Sequence, residues 1–304
     1  MIFSLYGSVS FKNPFGLAHT MQIASKLGYQ AIDVRGQSLD SVRVTSKSIN
    51  AVGYDMIGPN SLDNFGIRDL KAELQRKKLY ISAISCYNPL TLPEGRLADE
   101  SMKKFREMID FSEKLGIRYV RLIGYSENPY EDISLDRSLA KKLFALRIKE
   151  LCRYGAQKGV GIQLENGEGC IPRSAKEQLE IADMVNEQNL MIVFDVLNFA
   201  FEGLVPMEEL KLIAGRVGCL HVKNAHLNGG KYKGFEWALL SQGDIDYIPV
   251  LQSLHACGFD GPIVCEYANP YKGMSRDFWD AMPAPEVWAE DALGFIHAFN
   301  NTVQ

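Results

Sequence analysis

Short runs of β-branched and aromatic residues recur along the whole chain, and each is followed by a longer amphipathic stretch. This alternation is the pattern of βα units, because a buried parallel strand is apolar on both faces while its covering helix is apolar on one. Eight such units are present, with strands predicted over Ile2 to Tyr6, Ala31 to Val34, Tyr80 to Ser85, Tyr119 to Ile123, Gly161 to Glu165, Met191 to Asp195, Cys219 to Lys223 and Ile263 to Tyr267. Helices are expected to stop at Gly28, Gly116 and Gly258, each set between a helical stretch and an aromatic or β-branched residue. Glycine there takes the left-handed conformation that ends a helix. Eight units in 304 residues predict one (β/α)8 barrel, a TIM barrel, as a single α/β domain over residues 1–304.

The balance of 46% hydrophobic and 23% charged residues suits a globular chain with a sizeable core. A net charge of -4 provides no basic field for a nucleic-acid backbone or an anionic membrane, so the expected partner is a small molecule. No apolar run is long enough to span a bilayer, and the first residues read as a core strand, not as a signal peptide. The six cysteines show no Cys-x-x-Cys spacing and read as reduced thiols, which points to a cytoplasmic location.

Four residues, Glu165, Asp195, His221 and Glu266, fall at or near the C-terminal ends of the fifth to eighth strands. In a barrel these ends face one centre. Any one of the acids alone reads equally as a helix cap or an ion-pair partner. Together, carboxylates at the tips of buried strands repel one another and lose hydration unless a positive charge lies between them. A divalent metal ion meets that need. Three oxygen ligands and one imidazole, without thiolate, favour Mn²⁺, with Mg²⁺, Co²⁺, Fe²⁺ or Zn²⁺ as alternatives.

The fragments Leu164-Glu165-Asn166, Phe194-Asp195-Val196-Leu197-Asn198, His221-Val222-Lys223-Asn224 and Gly243-Asp244-Ile245-Asp246, with Gly261 to Tyr267, resemble the xylose-isomerase-like barrel superfamily, in particular its sugar phosphate isomerase/epimerase branch. The resemblance runs from the first strand to the last, but its specific motifs lie in the second half. It implies that the four residues bind the metal and that Glu165 and Glu266 also exchange protons with a ketose through an enediolate. Reprotonation on the other face gives an epimer, and reprotonation on the neighbouring carbon gives an aldose. The same anion serves a lyase or dehydratase resembling inosose dehydratases, if it expels a substituent instead. An abasic-site endonuclease is disfavoured by the few histidines and acidic charge, and a non-catalytic sugar-binding subunit by the retention of both glutamates. Lys223 matches a lysine that reaches a substrate oxygen elsewhere in the superfamily. Two positions depart from the ketose epimerases: Asn198 stands where they carry a histidine, and Leu227 where they carry an arginine.

Arg35 and Arg121 follow the second and fourth strands and suit a substrate carboxylate or phosphate, or equally an ion pair with Asp33 or Glu165. The stretches Gly36 to Phe65 and Ala268 to Pro285 are long for connections and belong to the catalytic face. The loop Asn228 to Gly234 reads as a solvated turn or a phosphate cradle, and Tyr267, Tyr271, Phe278, Trp279 and Trp288 as a sugar-ring cover or a subunit contact. The aromatics and the resemblance together suggest a homodimer or homotetramer. Cys86 reads as a packing residue, as do His255 and His297, while His19 stands near the pocket.

Overall fold

The computed structural model describes residues 2–7, 16–36, 56–59, 64–125, 136–167, 169–227, 235–267 and 283–303. Eight strands form the barrel: β1 (Ile2–Gly7), β2 (Ala31–Gly36), β3 (Tyr80–Ser85), β4 (Tyr119–Leu122), β5 (Gly161–Glu165), β6 (Leu190–Asp195), β7 (Val217–Val222) and β8 (Pro262–Tyr267). Each is parallel to its neighbours, and the ring closes because β1 pairs with both β2 and β8. The expected strands are all found, their ends shifted by no more than two residues; β7, for example, begins at Val217 and stops one residue before Lys223.

Around the barrel run α1 (Gly16–Leu27), α2 (Asn64–Arg76), α3 (Arg96–Leu115), α4 (Arg137–Ala156), α5 (Ala175–Val185), α6 (Val196–Phe201), α7 (Pro206–Ile213), α8 (Tyr247–Ala256) and α9 (Pro285–Val303). Gly28, Gly116 and Gly258 stop α1, α3 and α8 with φ of 93°, 76° and 75°, the left-handed conformation that the pattern required. The face that α3 buries shows why it is a helix: Met102, Phe105, Met108, Ile109 and Ser112 recur at spacings of three and four residues. These side chains meet the outward-pointing residues of the strands, including Ile84, Leu122, Ile162 and Phe194, in one continuous core.

The lumen is unequal in its two halves. On one side Tyr6, Val193, Cys219 and Val264 form an apolar cluster with Met191. On β1 to β5 the buried residues Ser4, Asp33, Ser82, Arg121 and Gln163 are polar or charged. Barrel interiors are ordinarily filled by branched apolar side chains, so a charged half must be internally paired.

Three further pairings decorate the C-terminal mouth. Met56–Ile57 adds two residues beside the end of β2. Gly124–Tyr125 pairs antiparallel with Cys170–Ile171, and Asn224–Leu227 with Phe235–Ala238. Residues 37–55, the 228–234 loop and the aromatic positions Tyr271, Phe278 and Trp279 lie outside the described residues, as does the side chain of Tyr267. Trp288, on α9, is buried in the chain's own core. Among the described residues, no helix is long and apolar enough to cross a membrane.

Candidate metal centre

Glu165 and Asp195 end β5 and β6, while His221 and Glu266 are the penultimate residues of β7 and β8. Because His221 and Asp195 are register partners, these neighbouring strands deliver them at one level. The four side chains are buried, and one donor atom from each lies within 4.8 Å of every other. An octahedral ion with bonds near 2.1 Å separates opposite ligands by about 4.2 Å, so small side-chain adjustments suffice to close the set on one ion.

His221 turns Nδ1 toward the acids, 3.0 Å from Glu165 Oε1, 3.2 Å from Glu266 Oε2 and 3.9 Å from Asp195 Oδ2. Lys223 Nζ lies 2.8 Å from Asp195 Oδ2 and 3.1 Å from Glu266 Oε2. From below, Arg121 Nε approaches Glu165 Oε2 at 3.2 Å while its NH1 donates to Asp33 Oδ2 at 2.7 Å. Asp33, Glu165, Asp195 and Glu266 supply four negative charges against two permanent positive ones on Arg121 and Lys223. The buried excess of two is what a divalent cation neutralises. Asp195 Oδ2 faces the Lys223 ammonium yet accepts no well-aligned hydrogen bond, as expected of an oxygen with coordination capacity to spare. The set contains no thiolate.

Each acid responds to these surroundings. Burial pushes Asp195 up to about 6 against the pull of Lys223, with Glu266 and Glu165 adding to the rise. Burial also opposes ionisation of Glu165 and Glu266, but the cations prevail and hold both below the usual carboxylate range: His221 and Arg121 for Glu165, Lys223 and His221 for Glu266. Burial likewise resists charging of His221, yet Glu165 beside it raises the imidazole well above its ordinary value. The His221 rise expresses the negative charge around it, whereas the two lowered glutamates express the cations beside them.

Supporting contacts fix these side chains. Asp195 caps α6 by accepting from Asn198 N at 3.0 Å through Oδ1, so the cap reading and the ligand reading use different oxygens. Asn166 clamps the end of β6, accepting from Asp195 N at 2.8 Å and donating to Asp195 O at 2.9 Å. The Asn198 amide donates to Asn166 O at 2.9 Å. Tyr247 OH donates to Lys223 O at 2.6 Å and accepts from Lys223 N, which holds the backbone just after His221. Asn224 ties together the segment around Gly243, where a Cβ would stand 2.2 Å from the Asn224 side chain. Asp244 then accepts from Leu227 N at 2.7 Å. The Gly243 to Asp246 fragment is thus a clasp for the hairpin after β7, with Asp246 capping α8. The clamps made by Asn166 and Tyr247 are not visible in the spacing of the chain; an amide directly after a strand-end glutamate was the only local signal.

Among the remaining candidates, Arg121 is fully buried in the lumen beneath the acids. Arg35 is half-buried, with its guanidinium 5.8 Å from the centre of the Tyr87 ring. His19 pairs with Glu286 at 2.7 Å, tying α1 to α9, and His297 packs its ring edge against Phe3. Cys86 is buried beside Asn88, and burial pushes its thiol up to about 12.

The chain is similar to known proteins at several levels. The uncharacterized protein MJ1311 of Methanocaldococcus jannaschii is 32% identical over 127 residues, but the match spans only 40% of this chain and 42% of that protein. L-ribulose-5-phosphate 3-epimerase UlaE of Escherichia coli is 21% identical over 251 residues, covering 81% of this chain and 80% of that one. The fold matches that of a D-psicose 3-epimerase crystallised with D-tagatose, from Clostridium cellulolyticum, with a TM-score of 0.74 at 13% identity over 98% of this chain and 99% of the other. It also matches an IolI protein with a bound zinc atom, with a TM-score of 0.73 at 18% identity over 99% of both chains. The family described as xylose isomerase-like TIM barrel matches residues 21–298, which takes in every barrel strand but the first. The chain belongs to the xylose isomerase-like TIM barrel family.

Proposed function

We propose that the protein is a metal-dependent isomerase or epimerase acting on a sugar, sugar phosphate or related polyol ketone. The observation that carries this reading is the placement of two buried glutamates, Glu165 on β5 and Glu266 on β8, within one compact donor cluster. These strands are separated by β6 and β7 around the ring, so the carboxylates approach the centre from different directions. The epimerase names of UlaE and of the D-psicose 3-epimerase structure support the same assignment.

Glu165, Asp195, His221 and Glu266 would hold the ion, and their donor set favours Mn²⁺. The bound ion supplies polarisation of a ketose carbonyl, which acidifies the adjacent C–H bond. The protein supplies the proton transfers. Glu165 and Glu266 both start ionised, and whichever carboxylate lies over the acidic C–H removes its proton. The opposite carboxylate, also ionised at the start, acts as acid only after taking up a proton from solvent; it delivers that proton to the other face for epimerisation or to the neighbouring carbon for isomerisation, and the first glutamate then releases its proton to solvent. Lys223, directed between Asp195 and Glu266, is placed to stabilise a substrate oxygen as negative charge develops on it. Arg35 is the described guanidinium at the end of β2 that suits a carboxylate or phosphate group. Asn198, whose amide is turned to Asn166, has the weaker geometry for substrate binding.

The test is a panel of ketoses, sugar phosphates and inososes incubated in heavy water with the Mn²⁺-loaded protein and followed by NMR and mass spectrometry. Deuterium should enter at the carbon next to the carbonyl, in a product of otherwise unchanged composition. Turnover without incorporation, even in single-turnover trials, would remove support for solvent-exchanging enediolate chemistry. A product lighter by water would replace the isomerase assignment with a dehydratase on the same frame.

A further inference from the structure

The charged half of the lumen has no part in the proton transfers, yet it touches two of the four donors. Arg121 is the largest fully buried side chain of the barrel interior, with its guanidinium 4.4 Å from the centre of the Tyr6 ring. Its NH1 donates to Asp33 Oδ2 at 2.7 Å and lies 2.9 Å from His221 Nε2, and its Nε lies 3.2 Å from Glu165 Oε2. Asp33 is itself anchored: its Oδ1 accepts from Ser4 Oγ at 2.8 Å and from Ser82 Oγ. One connected network therefore runs from β1, β2 and β3 through Arg121 on β4 to Glu165 on β5.

We propose that Arg121 is a positioning residue of the metal centre and Asp33 its anchor. This rests on the reading of Glu165, Asp195, His221 and Glu266 as a metal site. A planar guanidinium engages two partners at a fixed angle, so its anchoring on Asp33 sets where it meets Glu165 from behind. By engaging Glu165 Oε2, Arg121 leaves Glu165 Oε1 turned to the centre, 3.0 Å from His221 Nδ1. Ligands held in this way need less ordering when the ion arrives.

The alternative is that Arg121 merely neutralises Asp33 inside the barrel. The two roles predict opposite signs. A fixed cation beside a cation site repels the ion, so removing a purely neutralising Arg121 strengthens metal binding. Removing a positioning Arg121 weakens it.

The test is calorimetric titration of Mn²⁺ into the metal-stripped full chain, with melting of each metal-free variant to verify that it is folded. Arg121→Met alone strands Asp33 as an unpaired buried charge, so the main comparison is the charge-conserving double variant Asp33→Asn with Arg121→Met. The double variant is expected to bind Mn²⁺ about 10- to 100-fold more weakly than the native chain, the range found when groups that orient metal ligands are removed. Arg121→Lys keeps the charge but loses the fork, and its affinity should fall between the two. Native or tighter affinity in either variant would overturn the positioning role. A native chain that bound no Mn²⁺ would instead overturn the metal reading on which the proposal stands.

Discussion

Asp195 uses its two carboxylate oxygens differently: Oδ1 caps α6 through Asn198 N, and Oδ2 joins the cluster near Lys223. Asp195→Asn preserves an acceptor for the cap while removing a charged ligand, so Mn²⁺ affinity is expected to fall at least about tenfold with little loss of metal-free stability. Paired calorimetry and urea unfolding measure the two effects separately. Tyr247 makes a different prediction, because its hydroxyl satisfies both the N–H and the C=O of buried Lys223. Tyr247→Phe should cost about 1–3 kcal/mol in urea unfolding, the range for leaving buried polar groups unmade. The clustering of Glu165, Asp195, His221 and Glu266 was legible because strand ends are visible in the apolar pattern and acids there are conspicuous. Arg121 was only half legible. Its pairing with Asp33 spans 88 positions and depends on which face of β4 turns inward, which no local pattern specifies.

At the level of elements, periodicity marked the strands and helix-stopping glycines, since burial on two faces and left-handed φ both constrain residue type locally. The mouth was less readable: the short antiparallel pairings there are held by side chains such as Asn224 and Asp244, whose partners are set by the tertiary fold. Between α4 and α5, Glu177 closes a local network. It accepts two hydrogen bonds from Arg137, at 3.1 and 2.7 Å, and one from Arg173 N, while Ser174 caps α5 by accepting from Glu177 N. Burial raises the Glu177 pKa, but Arg137 and the Arg173 N–H more than offset this, so the folded value lies below the unfolded one. Its stabilisation is therefore fully present above the ordinary glutamate range and is lost as pH falls through the lowered folded value. Glu177→Gln should cost about 1 kcal/mol at neutral pH, a figure discounted for the partial exposure of the pair, and the difference should shrink as pH falls through the lowered folded value. Chemical denaturation of both proteins across that interval checks the sign.

Across the whole molecule, the closed barrel gathers side chains from distant parts of the chain and leaves an excess of two buried negative charges at its C-terminal mouth. An ion that neutralises this excess binds the folded chain and has no comparable site in the unfolded one. At a free concentration about 100 times its dissociation constant it contributes about 2.7 kcal/mol of stability. Melting followed with and without Mn²⁺ should show a rise of roughly 5 °C that a chelator reverses, and a chain indifferent to both would argue against a filled site. The most direct test is anomalous diffraction from crystals soaked in Mn²⁺ and measured near the manganese absorption edge. One strong peak is predicted within bonding distance of Glu165, Asp195, His221 and Glu266; a fully soaked crystal with no peak among these four residues would contradict the account.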